Sequence, residues 1–183
     1  MIKAVIFDLD GTLVRSFNAA YRAFCSTLKE HGYKAPTRKE YKAKYWGKCV
    51  LDNYKLATNC SEAELKELIR SHIKNSIKLR KELRPNPFAK LVLSRLKKLG
   101  LKLALVTSTL RNITLSHLRS ITLLRYFDAI ICGDDVAKRK PDPEPLLRAC
   151  RLLRVRPSQV IYVGDLSVDE KAARRAGIKF VLV

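Results

Sequence analysis

Residues Val5 to Val14 read VIFDLDGTLV, an apolar run that ends abruptly in two carboxylates, Asp8 and Asp10, followed by Gly11. An apolar β-strand that carries acidic groups at its carboxyl end is typical of a functional site. Two carboxylates close together raise each other's pKa, so both stay ionised only when a cation lies beside them. Hard cations such as Mg²⁺ prefer oxygen ligands of this kind. The stretch therefore predicts a strand that ends at a magnesium site.

Further polar groups follow apolar strands or turns later in the chain. They are, in chain order, Thr107 and Ser108 after a predicted strand over 101–106, Lys140 before Pro141, and Asp165 and Asp169 after a predicted strand over 160–164. Ligands of an open α/β sheet gather at the carboxyl ends of its strands. If the sheet is parallel, groups that are far apart in sequence converge on one crevice.

The order of elements predicts an α/β fold with a parallel sheet, because strands alternate with helical patterns. After a first strand over 2–7, the strand signal disappears from Ser16 to about Leu83 and helical periodicity replaces it. Ser16 is a candidate N-cap of a helix to about 31. Capping-box pairs predict two more helix starts at Thr37 and Ser61. We therefore expect a helical insertion directly after the first strand.

The strand and helix alternation resumes after Pro85. Helices are predicted over about 88–99, 113–124 and 142–153, with Asp142 as an N-cap before Pro143. A short strand is predicted over 129–132 and a last one over 179–183. Ser167 and Glu170 have the spacing of another capping box, and Asp134 and Asp135 are interpreted as loop and cap residues.

The DxDGT sequence at Asp8 resembles the first motif of the haloacid dehalogenase superfamily, and the later polar groups match that family's other motifs in order. Within that superfamily, the chain resembles subfamily I phosphatases of the phosphoglycolate phosphatase type, which have a helical C1 cap. The resemblance covers the whole chain and implies a Rossmann-like catalytic core over 1–14 and 85–183. The insertion over 15–84 would be the cap, a lid over the crevice.

The resemblance also implies roles for the motif residues. Asp8 would be the nucleophile that becomes phosphorylated and a Mg²⁺ ligand, and Asp10 the general acid and base, with its backbone carbonyl on the metal. An Asp at this second place favours phosphatase or phosphomutase chemistry over carbon–halogen cleavage. The remaining assignments are Thr107 or Ser108 as hydrogen-bond donor to the phosphoryl group, Lys140 as its counter-charge, Asp165 as a direct Mg²⁺ ligand, and Asp169 as a second acid that acts through water or holds another ligand.

Cap residues are expected to select the substrate. Gly47 falls where the family's cap carries a specificity loop, which makes Trp46 and Lys48 candidates for binding the leaving group. Arg15 departs from the family pattern, since many capped relatives have an Asp there. It is a candidate contact to an anionic part of the substrate, or a solvated side chain.

Composition limits the possible partners. The 183 residues include 37 Lys plus Arg against 17 Asp plus Glu, a net charge of +20. Three interpretations of this charge stay open: steering of a phosphorylated substrate, binding to nucleic acid, or an amino-acid composition typical of the source organism, with the Lys and Arg side chains solvated. The basic residues are spread over every segment, and no nucleic-acid-binding signature is present. No apolar stretch approaches the length of a membrane span, so no membrane partner is expected.

The five cysteines form no CxxC pair and are interpreted as reduced thiols, and His31, His72 and His117 are interpreted as solvated or helix-surface residues rather than metal ligands. A cytoplasmic location is the simplest expectation. The predicted function is a Mg²⁺-dependent phosphatase that hydrolyses a small phosphorylated metabolite, such as phosphoglycolate or a sugar phosphate, through an aspartyl-phosphate on Asp8. A phosphomutase of the same superfamily and a nucleic-acid-associated basic protein are the alternatives.

Overall fold

A computed structural model describes residues 1–183. Five strands form one parallel sheet and are, in chain order, β1 (Ala4–Phe7), β4 (Lys102–Val106), β5 (Ala129–Ile131), β6 (Val160–Gly164) and β7 (Lys179–Leu182). Their spatial order is β5-β4-β1-β6-β7, and every pair is parallel. The chain leaves β1 toward β4 and later returns to β6 on its other side. β1 is thus at the point where the strand order reverses, where α/β sheets bind ligands.

Helices cover both faces of this sheet. They are α5 (Ala89–Lys98), α6 (Arg111–Ser120), α7 (Glu144–Leu153) and α8 (Ser167–Ala176). All four residues of β1 are buried, because successive side chains point to opposite faces and each face has a core. Ala4 and Ile6 belong to the core beneath α7 and α8, whereas Val5 and Phe7 belong to the core beneath α5. The predicted α/β fold with a parallel sheet is confirmed.

The inserted segment consists of four helices, α1 (Phe17–Glu30), α2 (Arg38–Lys44), α3 (Val50–Thr58) and α4 (Glu62–Lys78). A small antiparallel pair, β2 (Val14–Arg15) and β3 (Arg84–Pro85), joins the two ends of the segment. The four helices have their own core, which includes Phe24, Tyr41 and Tyr54. A further apolar cluster connects Cys49 to Leu110 and Ile113 of the α/β part.

The capping boxes at Thr37 and Ser61 are both present, with the side chains of Glu40 and Glu64 in the predicted places. Three predictions about helix ends were wrong or incomplete. Ser16 precedes α1, but its hydroxyl makes no capping hydrogen bond. The helix α3 was missed, because Cys49 precedes it and provides no side-chain cap.

The predicted box of Ser167 and Glu170 was also wrong. Ser167 is the first residue of α8, and the side chain that bonds back to the preceding turn is that of Asp169, which accepts from the backbone N–H of Leu166. Asp142 lies two residues before α7 and its carboxylate accepts from the backbone N–H of Glu144. None of the helices combines the length and the apolar character needed to cross a bilayer.

Candidate active site

The carboxyl ends of three neighbouring strands form the site. Asp8 follows β1, Thr107 follows β4 and Asp165 follows β6, and β1 lies between the other two strands. Because the strands are parallel, all three residues lie at the same edge of the sheet. The topology therefore brings together groups separated by as many as 157 positions in sequence, from Asp8 to Asp165.

Gly11 allows the turn after β1 to approach the end of β6. Its φ is +98°, and a Cβ built on it would lie 2.2 Å from Oδ2 of Asp165. A side chain at this position would be strained and would also displace the Asp165 carboxylate. The next residue, Thr12, donates its hydroxyl to Oδ1 of Asp165 at 3.0 Å. The glycine of the DxDGT motif thus leaves space for the Asp165 carboxylate beside the turn, and Thr12 holds the carboxylate there.

Lys140 connects the acids of the site. Its side chain is only 4% exposed, and its ammonium donates to Oδ1 of Asp8 at 2.6 Å and to Oδ1 of Asp169 at 2.7 Å. It also lies 3.1 Å from the hydroxyl of Tyr162, which itself donates to Asp169 at 2.7 Å. Charge-assisted hydrogen bonds of this length are strong and fix the geometry. Asp8 therefore presents one oxygen to a lysine that Asp169 and Tyr162 hold in place.

The site has more negative than positive charge. Burial raises the pKa of the Asp8 carboxyl well above its usual value, and the charges of Asp169 and Asp10 raise it further, against the opposing effect of Lys140. Burial also raises the pKa of Asp165. Burial alone would lower the pKa of Lys140, but Asp8 and Asp169 outweigh it and raise that pKa well above normal. The single ammonium group of Lys140 lies among the carboxyl groups of Asp8, Asp165 and Asp169, so a further cation would stabilise the ionised site.

The chemistry of the donor atoms fits a hard divalent cation. Carboxylate oxygens of Asp8, Asp165 and Asp169 lie within 4.8 Å of one another, and we call these three residues, together with Lys140, the acid cluster. Hydrogen bonds from Lys140, Tyr162 and the Leu166 amide occupy both oxygens of Asp169. Asp8 and Asp165 each use one oxygen for the hydrogen bonds described above, which leaves the other oxygen for a ligand. An all-oxygen set is the type that Mg²⁺ and Ca²⁺ prefer.

Asp10 faces away from this acid cluster toward two threonines. Its Oδ2 accepts from the hydroxyl of Thr109 at 2.7 Å and from that of Thr107 at 3.4 Å. The hydroxyl of Thr107 also accepts from the backbone N–H of Thr109 at 3.1 Å. Ser108 is half-buried and its carbonyl lies against Gly133, where a Cβ would come within 2.2 Å. The structure thus places Thr107, not Ser108, beside the Asp10 carboxylate.

A cavity of about 70 Å³ opens beside Asp10. Trp46, Gly47 and Lys48 of the helical segment all line it. The indole of Trp46 packs edge-on against Phe17, with ring centroids 5.0 Å apart. Lys48 is exposed at the rim, and a Cβ on Gly47 would lie 2.4 Å from Cδ1 of Leu166 at the start of α8. The loop over 46–48 therefore contacts the α/β part close to the acid cluster.

Arg15 lies apart from the cavity. It is exposed in β2, and its Nε donates to Oδ1 of Asn86 at 3.0 Å. Asn86 in turn donates to the backbone carbonyl of Gly11 at 2.9 Å. Arg15 thus stabilises the turn at Gly11 through Asn86 and does not line the cavity.

The family assignment follows from comparisons with known proteins. A family model described as haloacid dehalogenase-like hydrolase matches residues 5–183. The chain belongs to this family. The predicted membership and the predicted enzyme class, a phosphoric monoester hydrolase of the haloacid dehalogenase superfamily, are confirmed.

Individual relatives agree with the family assignment. The chain is 33% identical over 189 residues to "Phosphoglycolate phosphatase" of Aquifex aeolicus, an alignment that covers 99% of the chain and 84% of the relative. It is 30% identical over 182 residues to "Pyrophosphatase PpaX" of Halalkalibacterium halodurans, covering 100% and 83%. The structure of CbbY from Rhodobacter sphaeroides in complex with phosphate superimposes with a TM-score of 0.92 at 25% identity, covering 100% and 86%.

In this haloacid dehalogenase-like hydrolase, some polar residues of the site were missed by the analysis of the sequence. Thr12, Thr109 and Tyr162 bond directly to the predicted acids, but threonine and tyrosine beside a strand end carry no distinctive spacing. Of these three residues, only Thr12 had a signal in the sequence, because it is the last residue of the DxDGT motif.

The prediction of solvated histidines was wrong for two of the three. His72 and His117 are each 7% exposed, and both line the cavity beside Asp10. A signal existed in the sequence: His117 follows Ile113 by four residues and Leu110 by seven, the spacing of one buried helix face. Periodicity indicates that this face of α6 is apolar, but it does not show which other element covers the face and buries the histidine.

Proposed function

We propose that the protein is a Mg²⁺-dependent phosphatase that hydrolyses a small phosphorylated metabolite through an aspartyl-phosphate on Asp8. The observation that carries the proposal is that the two acids of the DxDGT motif have different surroundings. Asp8 lies beside buried Lys140, whereas Asp10 faces the cavity. Relatives named for phosphoglycolate and pyrophosphate support a small phosphorylated substrate.

In the first step, a carboxylate oxygen of Asp8 attacks the phosphorus atom of the substrate and the ester P–O bond breaks. The ammonium of Lys140, 2.6 Å from Asp8, neutralises charge on the phosphoryl oxygens. The protonated carboxyl of Asp10 gives its proton to the departing alkoxide, which leaves as a neutral alcohol through the cavity. Thr107 turns its hydroxyl from Asp10 to a phosphoryl oxygen.

In the second step, the Asp10 carboxylate removes a proton from a water molecule whose oxygen attacks the phosphorus atom. The acyl–phosphate bond breaks, which releases inorganic phosphate and restores the Asp8 carboxylate. Thr109 orients Asp10 for both proton transfers, because its hydroxyl binds one carboxylate oxygen at 2.7 Å and leaves the other free.

Asp8, Asp165 and the backbone carbonyl of Asp10 would hold the Mg²⁺ ion. When bound, the ion supplies positive charge that ionises the buried acids and draws the phosphoryl group to them. Asp169 acts at one remove in this proposal. Its two oxygens are bound to Lys140, Tyr162 and the Leu166 amide, so its task is to position the lysine.

We also propose that residues 15–84 act as a cap over a catalytic core formed by 1–14 and 85–183. The apolar cluster of Cys49 with Leu110 and Ile113 joins the two parts, and an ion pair between Asp52 and Arg139 at 3.1 Å lies next to it. A closed cap excludes bulk water from the phosphorylated enzyme. Trp46, Gly47 and Lys48 would then contact the leaving group.

The covalent step can be tested by trapping. Enzyme is mixed with an aryl phosphate and Mg²⁺, quenched during turnover and reduced with borohydride, which converts an aspartyl-phosphate to homoserine. Peptide mass spectrometry should find homoserine at position 8 in the wild-type protein and not in Asp8→Asn. Vigorous hydrolysis without any modified residue at position 8 would contradict the covalent route.

The alternatives predicted from the sequence are separated by simple measurements. A phosphomutase would return the phosphoryl group to the product, whereas the proposed phosphatase releases inorganic phosphate in step with substrate loss. Association with nucleic acid through the charge of +20 would show as binding that weakens steeply with salt. The cytoplasmic location remains a prediction.

A further inference from the structure

The cavity beside Asp10 contains buried polar atoms that have no hydrogen-bond partner. They are the Ser16 hydroxyl, Oδ1 of Asn53, and both ring nitrogens of His117. All three residues line the cavity, and they are 1%, 3% and 7% exposed respectively. Buried polar groups are almost always paired, with protein groups, water or a ligand, so unpaired atoms on three residues around one cavity indicate a place where a polar molecule binds. We call Ser16, Asn53 and His117 the recognition wall.

A second histidine that lines the same cavity, His72, has hydrogen-bond partners for its ring and serves as a comparison. Nδ1 of His72 lies 2.9 Å from the hydroxyl of Tyr54, and its Nε2 lies 3.2 Å from that of Ser76. Both ring nitrogens of His72 are therefore satisfied. His117 has no side-chain partner: the backbone carbonyl of Ser76 is the one acceptor near its ring, and neither ring nitrogen makes a hydrogen bond of normal geometry. His117 therefore differs from His72 in having hydrogen-bonding capacity that no side chain of the protein uses.

The recognition wall offers both donors and acceptors. Asn53 uses its amide N–H for the carbonyl of Tyr45 at 3.0 Å, so the oxygen that remains can only accept. Burial lowers the pKa of His117, with the Asp10 charge opposing, which favours the neutral ring, and a neutral imidazole has one donor and one acceptor nitrogen. The Ser16 hydroxyl can do either. A group that both donates and accepts, such as an alcohol hydroxyl, matches this set.

A carboxylate matches the recognition wall less well. It only accepts hydrogen bonds, so the Asn53 oxygen and one nitrogen of His117 would stay unpaired in a buried place. It would also bring a second negative charge toward Asp10, and the one cation on the cavity wall, Lys48, is exposed at the rim. Since one water molecule needs about 10–15 Å³, a cavity of about 70 Å³ has room for a small polar group.

We infer that the recognition wall binds a free hydroxyl group of the leaving alcohol, so that the substrate is the phosphate ester of a small diol or polyol rather than of a hydroxy acid. The inference rests on the proposed phosphatase function and narrows its substrate. Within it, Ser16, Asn53 and His117 determine specificity, whereas Asp8 and Asp10 carry out the reaction.

The test uses three esters of nearly equal size, namely 2-hydroxyethyl phosphate, ethyl phosphate and 2-phosphoglycolate, together with an aryl phosphate. An analogue that lacks the hydroxyl leaves the buried polar groups of the wall unpaired, so kcat/KM for 2-hydroxyethyl phosphate should exceed that for ethyl phosphate by about 100-fold. It should also exceed that for phosphoglycolate. A preference for phosphoglycolate, or equal values for all three esters, would overturn the inference.

Variants of His117 connect the preference to the recognition wall. His117→Phe removes both nitrogens and should reduce the preference for the hydroxyl to less than about tenfold, whereas His117→Gln keeps one amide donor and should retain part of it. His31→Gln, at the histidine that contacts Ser71 outside the cavity, is the matched control and should keep the wild-type preference. Circular dichroism verifies that each variant is folded.

The outcomes separate this inference from the proposed function. A wild-type preference that survives in both folded His117 variants would overturn the role of the recognition wall, while aryl phosphate turnover would still support the phosphatase. Failure to hydrolyse any of the four esters, with no modification trapped at Asp8, would overturn both.

Discussion

The two halves of the site are built in opposite ways. In the acid cluster, the ammonium of Lys140 is bonded to Asp8, Asp169 and Tyr162, and the contacts are strong because the groups are charged. On the recognition wall of Ser16, Asn53 and His117, buried polar atoms are left without any partner. One half is already organised for phosphoryl chemistry. The other half is completed only when the leaving group is bound.

This contrast implies that the two halves respond differently to mutation. Loss of a group from the acid cluster should reduce hydrolysis of every phosphate ester, because all substrates share the phosphoryl group. Loss of a group near the leaving alcohol should change the ratio between substrates. Each prediction below is assigned to one half and tests the contrast there.

Asp8→Asn should have the largest effect, a loss of kcat of at least about 10⁴-fold with every substrate, because the amide oxygen is a poor nucleophile. The variant should keep its fold, since the amide oxygen still accepts from Lys140. Asp134→Asn is the matched control: Asp134 is an exposed loop residue whose side chain accepts from the Arg111 amide, and an Asn does the same. Steady-state kinetics with an aryl phosphate measure both, and activity of Asp8→Asn near the wild-type value would place the nucleophile elsewhere.

Removal of divalent metal should reduce turnover by about 10³-fold, because one lysine alone cannot keep the three neighbouring carboxyl groups of Asp8, Asp165 and Asp169 ionised. Activity after treatment with EDTA and desalting is compared before and after addition of Mg²⁺. Recovery should be complete at saturating Mg²⁺. An enzyme that keeps full activity in excess chelator would show that the acids of the cluster work without a divalent cation.

Lys140→Met should lower kcat by about 10²- to 10³-fold for all substrates, because a preorganised positive charge is lost from the phosphoryl site. It should also reduce the free energy of unfolding at pH 7 by about 3–5 kcal/mol, since Asp8 and Asp169 lose their buried partner. Lys138→Met, two residues away and exposed, is the control for a loss of charge without a loss of contacts. Equal effects of the two substitutions in urea unfolding and in kinetics would show that the contacts of Lys140 with Asp8 and Asp169 contribute neither to stability nor to turnover.

The same contrast explains how much of the site the sequence predicts. Asp8, Thr107 and Asp165 each follow an apolar strand, and a parallel sheet brings such strand ends together whatever lies between them. A local pattern thus predicts both the fold of the α/β part and its acid cluster. The position of Lys140 came from the family's motif order, because a lysine in a loop has no strand to place it.

The recognition wall could not be predicted in this way. Ser16 precedes α1, Asn53 lies in α3 and His117 in α6, so the wall exists only through the packing of the helical segment on the α/β part. Helical periodicity indicates which face of a helix is buried but not what covers it. His117 on an apolar face was within reach of the sequence, whereas its lack of partners was not, because only the structure shows the surrounding polar atoms.

Lys48→Ala should have a modest effect that depends on the substrate. Lys48 lies at the rim of the cavity, where an exposed charge is worth little, so we expect kcat/KM to change less than about tenfold for a metabolite-sized ester and less still for an aryl phosphate. Lys44→Ala, an exposed lysine of α2 outside the cavity lining, is the control. Equal changes in kcat/KM for both types of ester would show that Lys48 does not contact the leaving group.

The smallest effect concerns stability and tests whether the cavity is electrically neutral beside the charged acid cluster. Burial, together with neighbouring His117, lowers the pKa of His72 to about 3, against about 6.5 for an unfolded histidine. Between these values the unfolded chain binds one more proton than the folded protein, so stability falls as the pH falls, by about 1.4 kcal/mol per pH unit for this residue. His72→Gln should make the dependence of the unfolding free energy on pH shallower by that amount between pH 6 and pH 4. Urea unfolding at several pH values measures the slope, and an unchanged slope would mean that His72 is charged in the folded protein and that the cavity is not neutral.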